Sequence, residues 1–76
     1  MPRFYFDFSE IAGSHDDRDG LVLASLDEAV ESARAAVFEM ARDCVCTSPF
    51  TLKVIIRDET GPRAQVTVSC NIERTD

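Results

Sequence analysis

The sequence predicts an α+β domain with the order β-β-α-β-β, in which one helix packs on one face of a four-stranded antiparallel sheet. Three patterns predict this class. Residues 3–8 alternate between apolar and polar side chains, residues 26–45 repeat apolar side chains three and four positions apart, and residues 50–73 contain two alternating runs around a turn. Alternation is the period of a strand, whereas the spacing of three and four is that of a helix. A chain of 76 residues has room for one domain, which we place over residues 1–76.

The first predicted strand is RFYFDF, which places Phe4, Phe6 and Phe8 on one face and so supplies much of the core. A polar stretch follows it. GLVLAS at residues 20–25 is then predicted to be a short edge strand that pairs back on the first strand. Because a right-handed crossover through the helix places the first strand between the second and the third, the predicted strand order is 2-1-3-4.

The helix has a clear predicted start. SLDE at residues 25–28 matches a capping box, in which the Ser25 hydroxyl accepts from the Glu28 amide and the Glu28 carboxylate reaches back to the Ser25 amide. One apolar stripe then runs to about Val45. Phe38 lies off that stripe; we expect it to pack under an edge of the sheet, with a dimer contact as the alternative. The stripe consists of Leu26, Val30, Ala33, Val37, Met40, Ala41 and Cys44.

The last third of the chain predicts a hairpin. FTLKVIIR and AQVTVSCNIE each alternate, and the intervening DETGP contains Gly61, which can adopt the positive φ that such turns need. On this pattern one face of the hairpin is apolar and joins the phenylalanines. That face carries Phe50, Leu52, Val54, Ile56, Ala64, Val66, Val68, Cys70 and Ile72.

The charge balance is acidic. The chain has 14 acidic and 8 basic residues, a net charge of -6 and a sequence pI of about 4.6, and its basic residues are scattered. Such a field repels phosphate backbones, so nucleic acid is not an expected partner. No segment has the apolar length of a signal peptide or a membrane span, which predicts a cytoplasmic protein without membrane contact.

The three cysteines predict no disulfide framework, because their number is odd and cytoplasmic thiols stay reduced. Cys44 lies on the helix stripe and Cys70 on the core face of the last strand, where cysteine packs as a small hydrophobe. Cys46 is the thiol best placed to react. A zinc site made by these cysteines with His15 is disfavoured, because the CVC spacing differs from the usual C-x2-C.

HDDRDG, residues 15–20, is the most suggestive motif. Asp17, Asp19 and Gly20 match positions three, five and six of a calcium-binding loop, but position one is His15 and position twelve is Leu26 instead of glutamate. We therefore predict a solvated turn. If the chain binds a metal at all, the candidates are Asp17, Asp19 and His15, with weak affinity. Acid–base chemistry is disfavoured, because hydrated carboxylates keep ordinary pKa values.

The outer face of the sheet, away from the helix, is the candidate binding surface. Tyr5, Lys53 and Arg57 lie on it by alternation. The competing interpretation is a solvated strand face, since exposed faces of antiparallel sheets are ordinarily polar. No catalytic constellation is recognisable, so we predict neither an enzyme nor a cofactor.

Four segments together resemble a known family. The opening MPRFYFDF, the D-x-x-G step in DRDG, the helix LDEAVESARAAVFEMARD and the closing VIIRDETG resemble short bacterial proteins that begin MPR-[YF]-[YF]-F and are classed as a domain of unknown function. Such proteins are common in soil and plant-associated α-proteobacteria. The resemblance covers nearly the whole chain and implies a stand-alone cytoplasmic domain. It carries over no catalytic residue.

The predicted function is a non-catalytic interaction or regulatory module that presents a sheet face or edge to a partner. The expected partner is a second copy of the chain or another protein. Two alternatives stay open: a nucleic-acid-linked regulator such as an antitoxin-like partner, by analogy of fold, and a weak metal-binding or metal-sensing protein.

Overall fold

The computed structural model describes residues 1–10, 13–43 and 49–75. One helix lies on one face of an antiparallel sheet, so the α+β class is confirmed, but the described sheet has five strands instead of four. No helix in the described part of the chain is both long and apolar enough to span a membrane. The elements in chain order are β1 (Arg3–Glu10), β2 (Gly13–His15), β3 (Leu21–Val22), α1 (Leu26–Asp43), β4 (Phe50–Asp58) and β5 (Gly61–Cys70).

The predicted order 2-1-3-4 is corrected at one edge. The sheet runs β2-β1-β4-β5, and β3 pairs with β1 as well. Phe8 is opposite His15 in β2, whereas Phe4 is opposite Leu21 in β3, so two short strands share the edge that one strand was predicted to fill. The intervening loop leaves the sheet and divides the edge. The sequence GSH of β2 has no apolar alternation, which is why the sequence predicted a loop there.

The core lies between α1 and the face of the sheet that carries the phenylalanines. Ala33 and Val37 are buried as the helix stripe predicts, and Phe6 and Phe8 are half-buried against the core. The helix packs mainly over β4 and β5 and only lightly over β1. The buried residues of the core are Phe4, Ala29, Ala33, Val37, Leu52, Val54 and Ile56.

The helix cap is nearly as predicted. The Glu28 amide donates to the Ser25 hydroxyl at 3.2 Å, but the Glu28 carboxylate accepts from the amide of Ala24 at 2.9 Å and not from that of Ser25. The predictions for Cys44, Val45 and Cys46 lie outside the described residues. Cys70 is half-buried and carries a free thiol.

The hairpin between β4 and β5 closes through a two-residue turn. The Asp58 carboxylate accepts from the amide of Thr60 at 2.8 Å and from its hydroxyl at 2.6 Å, and Gly61 takes a φ of 119° as predicted. β5 ends at Cys70, so Ile72 does not join the apolar face and is 67% exposed. The reason is register, since Cys70 is opposite Phe50, the first residue of β4.

Phe38 corrects a second packing prediction. Its side chain is 56% exposed instead of lying under the sheet. The Arg34 guanidinium, one turn earlier on the helix, lies 6.0 Å from the centroid of the Phe38 ring. Because Phe38 lies off the buried stripe of α1, the helix turns it towards solvent.

Candidate functional site

The carboxylate of Asp17 fills the gap between β2 and β3 at the edge of the sheet. One carboxylate oxygen accepts from the β1 amide of Phe6 at 3.1 Å. The other accepts from the amides of Asp19 and Gly20, each at 3.1 Å. The side chain therefore takes the place of a strand partner for β1, and it also closes the turn of the D-x-x-G step.

The main chain of Asp17 is held from the outer face of the sheet. Its amide donates to one oxygen of Asp7 at 2.9 Å, and its carbonyl accepts from the Arg57 guanidinium at 2.7 Å. Arg57 also donates to the second oxygen of Asp7 at 2.7 Å and lies 4.5 Å from the centroid of the Tyr5 ring. We call Tyr5, Asp7, Asp17 and Arg57 the outer-face cluster.

The surroundings of Asp17 and Arg57 in the outer-face cluster shift the pKa of each group in the direction that favours its charged form. Partial burial raises the pKa of Asp17, but hydrogen bonds from Gly20, Phe6 and Asp19 and the charge of Arg57 outweigh it, so the pKa is lowered below the ordinary 3.8. The hydrogen bond to Asp7 raises the pKa of Arg57, and the attraction of nearby acidic groups adds to it. Both groups therefore stay ionised at neutral pH.

Gly20 makes the closest approach in this region. Its φ is +69°, a left-handed conformation that side chains disfavour. A Cβ atom at this position would lie 2.8 Å from the carbonyl oxygen of Phe4 and 2.9 Å from two ring carbons of Tyr5. The D-x-x-G step thus needs glycine both for its conformation and for the space beside β1.

The prediction of a solvated turn for HDDRDG is wrong for Asp17, which is half-buried and bonded to β1 and to its own loop. The sequence could not show this, because the partner amide lies 11 residues away in β1. His15, Asp16 and Asp19 are exposed. Among the described residues, no three His, Cys, Asp or Glu side chains lie together as a metal site would require.

Of the three residues predicted to form a binding surface on the outer face, two lie in contact and the third lies apart. Tyr5 and Arg57 are opposite each other in the β1–β4 register and in ring contact, whereas Lys53 is opposite Ser9 and Thr67, outside the outer-face cluster. Two guanidinium nitrogens of Arg57 donate to its own chain, Nε to Asp7 and Nη2 to the carbonyl of Asp17. Its geometry is that of a residue that fixes the loop, and the binding role of the three residues stays a prediction.

Sequence reasoning missed a groove of about 510 Å³ between α1 and the edge of the sheet. It exists because the helix lies over β4 and β5 and leaves part of the phenylalanine face of β1 uncovered. Five of its described lining residues are apolar and four are polar. The apolar ones are Phe6, Phe8, Leu21, Ala33 and Ala36, and the polar ones are His15, Asp16, Asp17 and Ser32. Of the polar ones, His15, Asp16 and Ser32 are exposed.

A second, acidic depression adjoins this groove. Ser32 lines both, so the two lie side by side along α1. Besides Ser32, the second depression of about 430 Å³ is lined by Leu23 and three acidic residues of the helix, Asp27, Glu28 and Glu31. The apolar groove is therefore bordered along α1 by a depression with three acidic side chains.

The fold and the site define a small α+β domain. It has an apolar groove along one edge of its sheet and, on the outer face, the hydrogen-bonded outer-face cluster. The chain belongs to the family described as a domain of unknown function, DUF6894, whose model matches residues 3–69. Comparisons with curated proteins and with solved structures found no match. The match confirms the resemblance to a domain of unknown function. The bacterial source and the opening motif MPR-[YF]-[YF]-F of that family stay predictions.

Proposed function

We propose that this chain is a cytoplasmic, non-catalytic protein-binding module whose groove receives a basic amphipathic helix of a partner protein. The observation that carries the proposal is the groove itself. Five of its nine described lining residues are apolar, and one of them, the exposed Leu21, extends the apolar surface to β3. Contiguous exposed apolar surface with a polar rim is typical of sites for protein partners.

The occupant is proposed to be a helix because the backbone of β1 offers little to an added strand. β2 pairs with three residues of β1, and β3 pairs with two. Between them, the Asp17 carboxylate accepts a hydrogen bond from the amide of Phe6. A helix in a groove binds through side chains spaced three and four residues apart and needs no free backbone edge.

The basic character of the partner follows from charge complementarity. Asp16 lines the groove, and Asp27, Glu28 and Glu31 line the adjoining depression. The chain as a whole carries a net charge of -6. Lysine or arginine side chains that flank the apolar face of a helix would be attracted by these carboxylates, which raises the rate of association and selects the orientation.

A non-catalytic role fits the bonding of the titratable groups with shifted pKa values. Asp17 and Arg57 are bonded within the outer-face cluster, and Asp58 is bonded to Thr60 and Arg63 in the hairpin turn. The hydroxyl of Thr60 is the main cause that lowers the pKa of Asp58. These groups hold the chain's own loops in place.

The test uses a synthetic helix of about 18 residues with leucines at helical spacing and lysines on its flanks. Titrated against the full chain, it should bind with an affinity that falls as salt is raised. Ala36→Phe fills the groove and should weaken binding about tenfold, whereas Ala35→Phe, on the exposed side of α1, should leave it unchanged.

Two controls identify the cause of binding. The same helix with glutamates in place of its lysines should not bind. Duplex DNA in the same titration tests the nucleic-acid alternative. Equal effects of Ala35→Phe and Ala36→Phe, or binding of DNA but not of the lysine helix, would refute the proposal.

A further inference from the structure

β5 forms one edge of the described sheet. It is the last strand in the order β2-β1-β4-β5, and among the described strands it pairs only with β4. At ten residues it is far longer than β2 and β3, which together occupy the other edge. An edge strand of this length presents a row of unpaired backbone groups that another strand can bind.

This edge lacks the features with which sheets usually prevent pairing. Pro62 and Arg63 stand only at its beginning, where the register shift next to Arg57 also lies. Residues 64–70, AQVTVSC, contain no charge and no proline, and the next charged residue is Glu73. Valine and threonine favour strands, so the segment suits pairing well.

We propose that β5 pairs antiparallel with β5 of a second copy, with the two-fold axis at Thr67. This register uses the whole uncharged segment, since residue 64 then lies opposite residue 70 of the partner. On the outer face Thr67 meets its own counterpart and Gln65 meets Ser69. On the helix face Val66 meets Val68. Each pair joins like with like, as an isologous interface requires.

The occupant is a second copy because the segment is complementary to itself and because an exposed aromatic side chain lies on the same side of the molecule. At about 100° per residue, Phe38 lies about 200° around the helix from Ala36. Ala36 lines the groove on the β1 side, so Phe38 is on the flank turned away from it, the flank nearer β5. Pairing of β5 would bring this 56% exposed ring towards the partner.

The electrostatics of this interface differ from those of the groove. Each copy carries a net charge of -6, so two copies repel each other at low salt. Dimerisation should therefore strengthen as salt is raised, whereas binding of a basic helix in the groove weakens. The opposite salt dependences separate the two proposals, and neither proposal needs the other.

The test is sedimentation velocity of the full chain over a concentration series up to about 1 mM. The wild-type chain should dimerise. Thr67→Lys places two like charges opposite each other at the axis and should weaken dimerisation about fivefold. Ser14→Lys is the matched control, because Ser14 is also exposed but lies on β2, at the opposite edge of the sheet, and should not change dimerisation.

A mixing experiment tests the register and guards against misfolded variants. Equal amounts of Thr67→Lys and Thr67→Glu chains should form mixed dimers of wild-type affinity, because opposite charges then meet at the axis. The lysine helix should bind Thr67→Lys as it binds the wild-type chain. A wild-type monomer at every concentration, equal effects of Ser14→Lys and Thr67→Lys, or no rescue on mixing would overturn the proposal.

Discussion

Replacing Asp17 with alanine should destabilise the fold more than any other change of charge in its loop. The substitution removes three acceptor contacts at once. The amide of Phe6 is part-buried and loses its partner, which costs about 1–3 kcal/mol. The amides of Asp19 and Gly20 each lose one hydrogen bond within the loop, at about 0.5 kcal/mol each. We therefore expect a total loss of about 3 kcal/mol.

This loss is large for a chain of 76 residues, whose free energy of unfolding should be about 4–11 kcal/mol. In a domain of this size it corresponds to a melting temperature lower by about 12–24 °C. Thermal and urea unfolding followed by circular dichroism measure both quantities. Asp19→Asn is the matched control, because it removes the same charge from an exposed side chain of the same loop.

The control should stay within about 0.5 kcal/mol of the wild-type chain, as surface substitutions usually do. If Asp17→Ala and Asp19→Asn destabilise equally, the carboxylate of Asp17 does not hold the edge of β1. A loss of less than about 0.5 kcal/mol on Asp17→Ala would refute the assignment altogether.

Three further predictions concern the same loop. Gly20→Ala should destabilise by about 2 kcal/mol or more, and Gly20→Asn should not restore stability, because asparagine tolerates the positive φ but its Cβ meets β1 in the same way; recovery by asparagine would show that φ alone matters. The lowered pKa of Asp17 makes its stabilisation depend on pH: the stabilisation is fully present above the ordinary pKa of 3.8 and is lost as the pH falls through the lower pKa of the folded state. The difference in unfolding free energy between the wild-type chain and Asp17→Ala should therefore shrink in that acidic range, and a difference that does not change with pH would contradict this prediction. Calcium, zinc or EDTA should change the melting temperature by less than about 2 °C, since both oxygens of Asp17 already accept from amides, and a larger rise with either ion would favour the metal alternative.

The elements that the sequence predicted well depend on local interactions. The cap at Ser25 and Glu28 involves residues three positions apart, and the hairpin turn involves Asp58, Thr60 and Gly61. Alternation in β1 and β4 placed the phenylalanine face correctly, because each strand shows its own period regardless of its neighbours.

The features that the sequence did not predict depend on contacts between distant segments. The partner of the Asp17 carboxylate is a main-chain amide of β1, which no side-chain pattern marks. The Arg57 guanidinium reaches the carbonyl of residue 17 across 40 positions. The groove arises from the lateral position of α1 over β4 and β5, and the apolar stripe of a helix fixes its rotation but not that position.

These contacts give the two edges of the sheet opposite properties. On the β1 side, β2 and β3 pair with the ends of the strand, and Asp17 accepts from the amide of Phe6 between them, so an incoming strand finds little free backbone. The loop that does this is itself bonded to Asp7 and Arg57. On the β5 side, no further strand of the described residues pairs with the edge, and residues 64–70 carry no charge. The uncharged edge is therefore the one through which we propose that two copies associate, and the groove beside the closed edge is the site that we propose for a helix of another protein.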